Sequence, residues 1–392
     1  MVFPERFSNL PVATWPRLRA LLDVPTKATE TINMTIGEPR HAFPAFVGEI
    51  LATNLSGFGK YPNNNGTDDL LDAISGYLER RYGIDVPNGQ IMNLNGTREG
   101  LYNAAMALCP EVKNGQKPVI LTPNPFYQVY AVASLSVNAD PIYVPATPDT
   151  GNLPDFAALS DKVLNKTAIA YVCSPANPQG AVADRAYWET LIGLAEKHDF
   201  QIFADECYAE IYRDAPPVGA MQVARDMGAD PERVLIFHSL SKRSNLPGLR
   251  SGFCAGGPQS IAKIRSLRAY AGAPVAGPIQ AVSAAAWADD DHVVENRALY
   301  HQKYKIADDT LGHVPGYQSP QAGFFLWLPV DNGEQAAVKL WQETGVRTLP
   351  GAYLSQTQDG QNPGDTFIRV AMVAPTQELQ RGLTLIRDCL YD

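Results

Sequence analysis

Lys242 stands in the run FHSLSKRSNLPGLR, a few residues past the apolar stretch Val234–Phe237, with Ser239, Ser241 and Ser244 around it and Arg250 eight residues on. A lysine held in a dry crevice has its pKa lowered, and the neutral amine forms Schiff bases with carbonyls. The Ser239 hydroxyl and the Arg250 fork suit a phosphate. Lysine and phosphate cradle at one locus point to pyridoxal 5′-phosphate (PLP). That cofactor works as an electron sink only if its ring nitrogen stays protonated, which requires a buried carboxylate partner. Asp205, closing the run QIFAD, meets that demand. Tyr208, three residues later, and Asn177 in SPANPQG could bond the phenolic oxygen. Taken singly, these are a solvated lysine, a turn aspartate and an Asn-Pro turn; together they reinforce one another.

The elements that must position these residues are legible as alternation. Short β-rich runs occur at Val119–Thr122, Ile142–Val144, Ile169–Cys173, Ile202–Ala204, Val234–Phe237 and Gly252–Ala255. Between them, Glu99–Leu108 carries Leu101, Ala104, Ala105 and Leu108 on one helical face, and Tyr187–His198 does the same with Leu191, Leu194 and Ala195. This reads as an α/β chain with a mostly parallel sheet, whose near-continuous apolar runs imply strands covered on both faces. In such sheets ligands sit beyond the carboxyl ends of the strands. YVCSPANPQG, FADECY and HSLSK are the polar sequences found there, so they converge on one crevice. After about residue 288 the pattern changes to a charged helix, Asp289–Leu311, then to the strand-like GFFLWLPV.

At 392 residues the chain has room for two or three domains and a substantial core. The 32 Lys and Arg against 41 Asp and Glu give a net charge of −9, which argues against a nucleic-acid-coating surface. The apolar runs Ala168–Cys173 and Ala281–Ala288 are too short to span a bilayer. Pro4, Glu5, Pro11 and Pro16 interrupt the stretch where a leader peptide needs continuous apolar sequence, so a cytoplasmic protein is expected. Five widely spaced cysteines without a CxxC pair, and dispersed histidines, suggest neither a disulfide framework nor a metal site. A dinucleotide fingerprint is also missing, because Gly57-Phe58-Gly59 leads to Pro62 rather than a third glycine.

The succession IGEPR (36–40), KYPNNNG (60–66), NGTREGL (95–101), PFYQVY (125–130), SPANPQG (174–180), DECY (205–208), SLSKRSNLPGLRSG (239–252), GFFLW (323–327) and FIRVA (367–371) resembles the class I/II aminotransferases of PLP fold type I. The resemblance runs from about residue 30 to the C-terminus. Within that family, IGEPR, NGTREGL and SKRSNLPGLRSGF are most similar to the N-succinyl-L,L-diaminopimelate aminotransferases. It implies a large PLP-binding domain over 46–288, with a mostly parallel seven-stranded sheet flanked by helices. A smaller α+β domain would be built from both chain ends, 1–45 and 289–392.

By the same resemblance Lys242 would carry the cofactor and shuttle the proton between substrate Cα and cofactor C4′. Asp205 would pair with the ring nitrogen, Asn177 and Tyr208 would bond its phenolic oxygen, and Tyr127 would stack on the ring. The backbone at Gly96, Thr97 and Arg98 opens a helix whose positive end would receive the phosphate, completed by Ser239 and Arg250. Tyr61 would reach the phosphate of a neighbouring subunit, making the active unit a homodimer with shared sites. Arg369, helped by the backbone of Gly37 and by Asn177, would clamp the α-carboxylate of amino acid and 2-oxo acid substrates. A donor or acceptor with a distal carboxylate asks for one more basic group, and Arg19, Arg40, Arg98 and Arg243 are candidates. An aspartate- or alanine-type aminotransferase and a fold-type-I C–S β-lyase would keep the same cofactor residues.

Overall fold

The computed structural model describes residues 5–8 and 10–392. Pro4 and the other residues of the 1–45 segment numbered 1–3 and 9 lie outside the described residues. In chain order the strands are β1 (Ile32–Asn33), β2 (Ile91–Leu94), β3 (Val119–Asn124), β4 (Asp140–Pro145), β5 (Thr167–Cys173), β6 (Gln201–Asp205), β7 (Val234–Ser239), β8 (Gly252–Ala255), β9 (Phe325–Pro329), β10 (Val346–Arg347), β11 (Leu349–Pro350) and β12 (Phe367–Ala371).

Seven of them form one sheet in the order β2-β8-β7-β6-β5-β3-β4. The pairs from β4 through β7 are parallel, while β8 runs antiparallel to both β7 and β2. Ile169, Ala170, Tyr171 and Val172 along β5 are fully buried, as are Ile202 and Phe203 in β6, because helices cover both faces. One apolar cluster joins Leu70, Ile74, Trp188, Ile192 and Trp287 on one side, and another joins Leu101, Ala104, Tyr130 and Ile264 on the other. The helix foreseen from Glu99 begins two residues earlier, spanning Thr97–Leu108. The one foreseen from Tyr187 begins at Arg185 because the Asp184 carboxylate accepts from the Tyr187 amide at 2.8 Å. The charged helix spans Asp291–Leu311. Asp289 stands just before it and bonds the His292 amide at 3.2 Å.

β12 is the centre of a three-stranded antiparallel sheet, β11-β12-β9, and β1 pairs with β10. Ile32 and Met34, near one chain end, share an apolar cluster with Leu326, Ile368, Val370 and Leu383, near the other. The Ala371 amide donates to the Met34 carbonyl at 2.8 Å, which fixes the segment entering Gly37 against β12. A Cβ at Gly37 would collide with the Phe325 ring, so only glycine lets the two segments come this close.

Candidate active site

The carboxyl ends of β5, β6 and β7 lie side by side, with Cys173 opposite Asp205 and Asp205 opposite Phe237. Beyond those ends opens a cavity of about 400 Å³, within the range of small-molecule sites. Lys242, Asp205, Tyr208, Asn177, Tyr127, Thr97, Arg98, Ser239, Arg250, Gly37 and Arg369 all line it. Residues separated by more than 300 positions, Gly37 and Arg369, therefore face one space.

Each side chain is held by its own element. Ser239 closes β7 and caps the turn Leu240–Arg243 by accepting from the Ser241 amide at 3.1 Å, which carries Lys242 forward into the cavity. The Lys242 amine donates to the Gly37 carbonyl and sits 5.2 Å from the centre of the Phe324 ring. Burial pulls this amine down from its ordinary 10.5 to about 8. Asp205, 6% exposed, accepts from the Tyr130 hydroxyl at 2.7 Å and from the Cys207 amide at 3.4 Å. Burial raises its pKa, and these donors work against that rise.

Arg369 is 5% exposed and has no carboxylate partner among the described residues. Its Nη1 donates to Asn177 Oδ1 at 3.1 Å and its Nη2 to the Thr35 carbonyl at 2.8 Å, while Nε is buried without a partner. Burial lowers the guanidinium to about 10, with only the Tyr208 phenol opposing. A buried cation satisfied by neutral acceptors is suited to an incoming anion.

The helix Thr97–Leu108 begins from Gly96, whose φ of 79° lies in the left-handed region. A Cβ there would collide with the Arg250 guanidinium, so Gly96 frames the cavity without lining it. Arg250, itself at φ 55°, donates Nη1 to the Pro247 carbonyl at 2.9 Å and Nη2 to the Asn95 carbonyl at 3.4 Å. Tyr61 does not approach the cavity of its own chain and is fully exposed.

Of the four arginines considered for a distal carboxylate, Arg98 alone lines the cavity, where its Nε donates to the Tyr127 hydroxyl at 2.7 Å. Arg40 is paired with Glu378 at 2.7 Å, Arg243 is buried against Asp290 at 2.7 Å, and Arg19 lies on the outer part of the helix Thr14–Leu21. Among the lining groups that the sequence reading passed over are Glu38, Tyr130 and Trp15. Glu38 and Tyr130 stand inside quoted motifs, IGEPR and PFYQVY, and Trp15 comes from a terminal helix with no motif of its own.

These residues fit PLP on structural grounds. A left-handed glycine and a helix N-terminus bracket an arginine, a buried carboxylate faces the cavity, and a desolvated lysine stands near it. The family model described as aminotransferase class I and II matches residues 29–386. An LL-diaminopimelate aminotransferase of Dehalococcoides mccartyi is 28% identical over 99% of this chain and 99% of that protein. Among solved structures, an aminotransferase from Neisseria meningitidis is 34% identical with a TM-score of 0.93, covering 98% of this chain and 99% of that one. The aminotransferase AspB from Helicobacter pylori is also 34% identical, with a TM-score of 0.89 and 99% of both chains covered.

Proposed function

The chain belongs to the class I and II aminotransferases, which are PLP-dependent, and from that premise we propose that it moves an amino group from a donor with an anionic distal end to 2-oxoglutarate. N-succinyl-L,L-2,6-diaminopimelate is the donor that fits this description. The observation carrying the reading is that two cationic side chains, Arg369 and Arg98, line one cavity with no carboxylate partner for either among the described residues. The donor's two ends and the two carboxylates of 2-oxoglutarate match that pair.

When bound, PLP supplies an aldehyde that takes up the amino group and a protonated ring that spreads the electrons released when the Cα–H bond breaks. Lys242 Nζ would hold that aldehyde in the resting enzyme and would carry the proton released from substrate Cα. Asp205 would keep the ring nitrogen protonated, Asn177 and Tyr208 would bond the phenolic oxygen, and Tyr127 would stack on the ring. Arg369, with Asn177 and the backbone of Gly37, would fix the α-carboxylate in the cavity that Lys242 also lines. Ser239, Arg250 and the amides of Gly96, Thr97 and Arg98 would hold the phosphate, while the Arg98 side chain would read the distal carboxylate.

Residues 46–288 are taken as the cofactor-binding domain, with 1–45 and 289–392 as the second. The active unit is taken to be a homodimer, because Tyr61 is fully exposed among other exposed apolar residues, Leu55 and Phe58. A second reading, unmodified LL-diaminopimelate as donor, is favoured by the curated relatives of that name. It is also favoured by Glu38, a carboxylate lining the same cavity that could meet a distal ammonium.

The test is a half-reaction panel, in which single donors are mixed with holoenzyme and conversion to the pyridoxamine form is followed. The succinylated donor should react fastest, and Arg98→Ala should slow it about tenfold or more while leaving alanine unaffected. Faster reaction with the free diamine selects the second reading. Pyruvate and ammonia formed without an acceptor would mark a β-lyase and defeat both.

A further inference from the structure

The carboxylate of Asp205 is held from behind as well as facing the cavity. Tyr130 is fully buried and donates its hydroxyl to Oδ2 at 2.7 Å. Its ring stacks on Tyr171 with centroids 4.5 Å apart and planes 13° from parallel. Tyr171 donates its own hydroxyl to the Leu101 carbonyl at 2.8 Å, inside the helix Thr97–Leu108. Tyr130 is thereby stacked on a strand residue that is itself tied to the helix assigned to the phosphate. No cationic side chain forms an ion pair with Asp205 among the described residues; the groups that favour its carboxylate are the Cys207 thiol and amide, the Tyr130 hydroxyl and, from the neighbouring strand β7, His238.

Burial drives a carboxyl toward its neutral form. A neutral Asp205 would keep the proton that the ring nitrogen needs. A phenol hydrogen bond favours the carboxylate, because hydrogen bonds to an ionised acceptor are stronger than those to a neutral one.

We propose that Tyr130 is a positioning residue that holds Asp205 as the carboxylate, so that the proton of the pair resides on the cofactor's ring nitrogen. The inference rests on the assignment of Asp205 to that nitrogen. Its signature lies in the holoenzyme spectrum. A positive ring nitrogen weakens the basicity of the Lys242–cofactor linkage, so loss of that charge raises the pH at which the near-visible absorption band titrates.

The experiment titrates that band in wild type, Tyr130→Phe, Tyr171→Phe and Asp205→Asn holoenzymes. Tyr130→Phe should raise the midpoint by roughly half to one pH unit, the shift appropriate to losing one hydrogen bond to a charged group. Tyr171→Phe should titrate as wild type. An unmoved midpoint in Tyr130→Phe, with Asp205→Asn shifted upward, overturns the role of Tyr130 and leaves that of Asp205 standing. An unmoved midpoint in Asp205→Asn overturns the premise instead. An equal shift in Tyr171→Phe, which keeps the ring and removes only the hydroxyl bonded to Leu101, would assign the effect to general loosening of the packing and also overturn the proposal. Should Tyr130→Phe fail to fold, 3-fluorotyrosine incorporated at 130 keeps the volume while strengthening the donor. The midpoint should then fall, and no change would count against the hydroxyl.

Discussion

If Lys242 carries the cofactor, the protonation state of its amine decides whether the site can accept it. Its ordinary value is 10.5, and burial brings it to about 8. Only the neutral amine attacks an aldehyde, so at pH 7.5 roughly a quarter of the chains are reactive, against about a thousandth for an unperturbed lysine. The rate of PLP uptake by apoenzyme should therefore climb about tenfold per unit below pH 8 and level off above it. Stopped-flow mixing across that range reads the break, and a rate still climbing near about pH 10 would show that the amine is not desolvated. That this lysine and Asp205 meet in one crevice was legible in the sequence, because each stands at the end of an apolar strand where polar sequence opens. Tyr130 was not, because it sits in a helix among Ala131 and Ala133, where an aromatic reads as core. Its hydroxyl acquires a role only once packing brings Asp205 within 2.7 Å.

At the level of elements, the proposed phosphate site depends on how β2 hands over to the helix Thr97–Leu108. Gly96 makes that turn with φ at 79°, which costs an L-residue on the order of 1–2 kcal/mol. The added methyl of Gly96→Ala would also push the Arg250 guanidinium aside. Because that guanidinium is the far end of a flexible side chain, the fold should survive while the cradle opens. Fluorescence titration of the apoenzyme with PLP should show affinity weakened about tenfold or more, with a fall in melting temperature of only a few degrees. Unchanged affinity would remove Gly96 and Arg250 from the cradle. The parallel strands β3 to β7 were readable because both faces are covered and their apolar runs are unbroken. β2 escaped because it is four residues long, carries the buried polar Asn93 at its centre, and borders the sheet beside the reversed strand β8. The choice among four arginines was likewise closed to sequence reading. It depends on Glu378 and Asp290, partners more than 40 residues from the arginines they occupy.

For the whole molecule, the question is whether one chain completes its own site. Gly37 and Arg369, from opposite ends, reach a single cavity within the chain, but Tyr61 does not, and its side chain is left fully exposed. If Tyr61 serves the phosphate of a second copy, a two-fold dimer has two equivalent composite sites, each lacking something when either parent is altered. Lys242→Ala removes the lysine from a chain's own site, whereas Tyr61→Ala removes a contact from its partner's site. In a hybrid of the two, one site carries both defects and the other carries neither. Random reassortment makes about half the dimers hybrids, each with one intact site of two. A mixture of two nearly inactive parents, unfolded and refolded together at limiting PLP, should therefore recover about a quarter of wild-type activity. Separately refolded parents combined afterwards provide the baseline. Activity in the co-refolded sample no greater than that baseline would mean that Tyr61 serves its own chain or none.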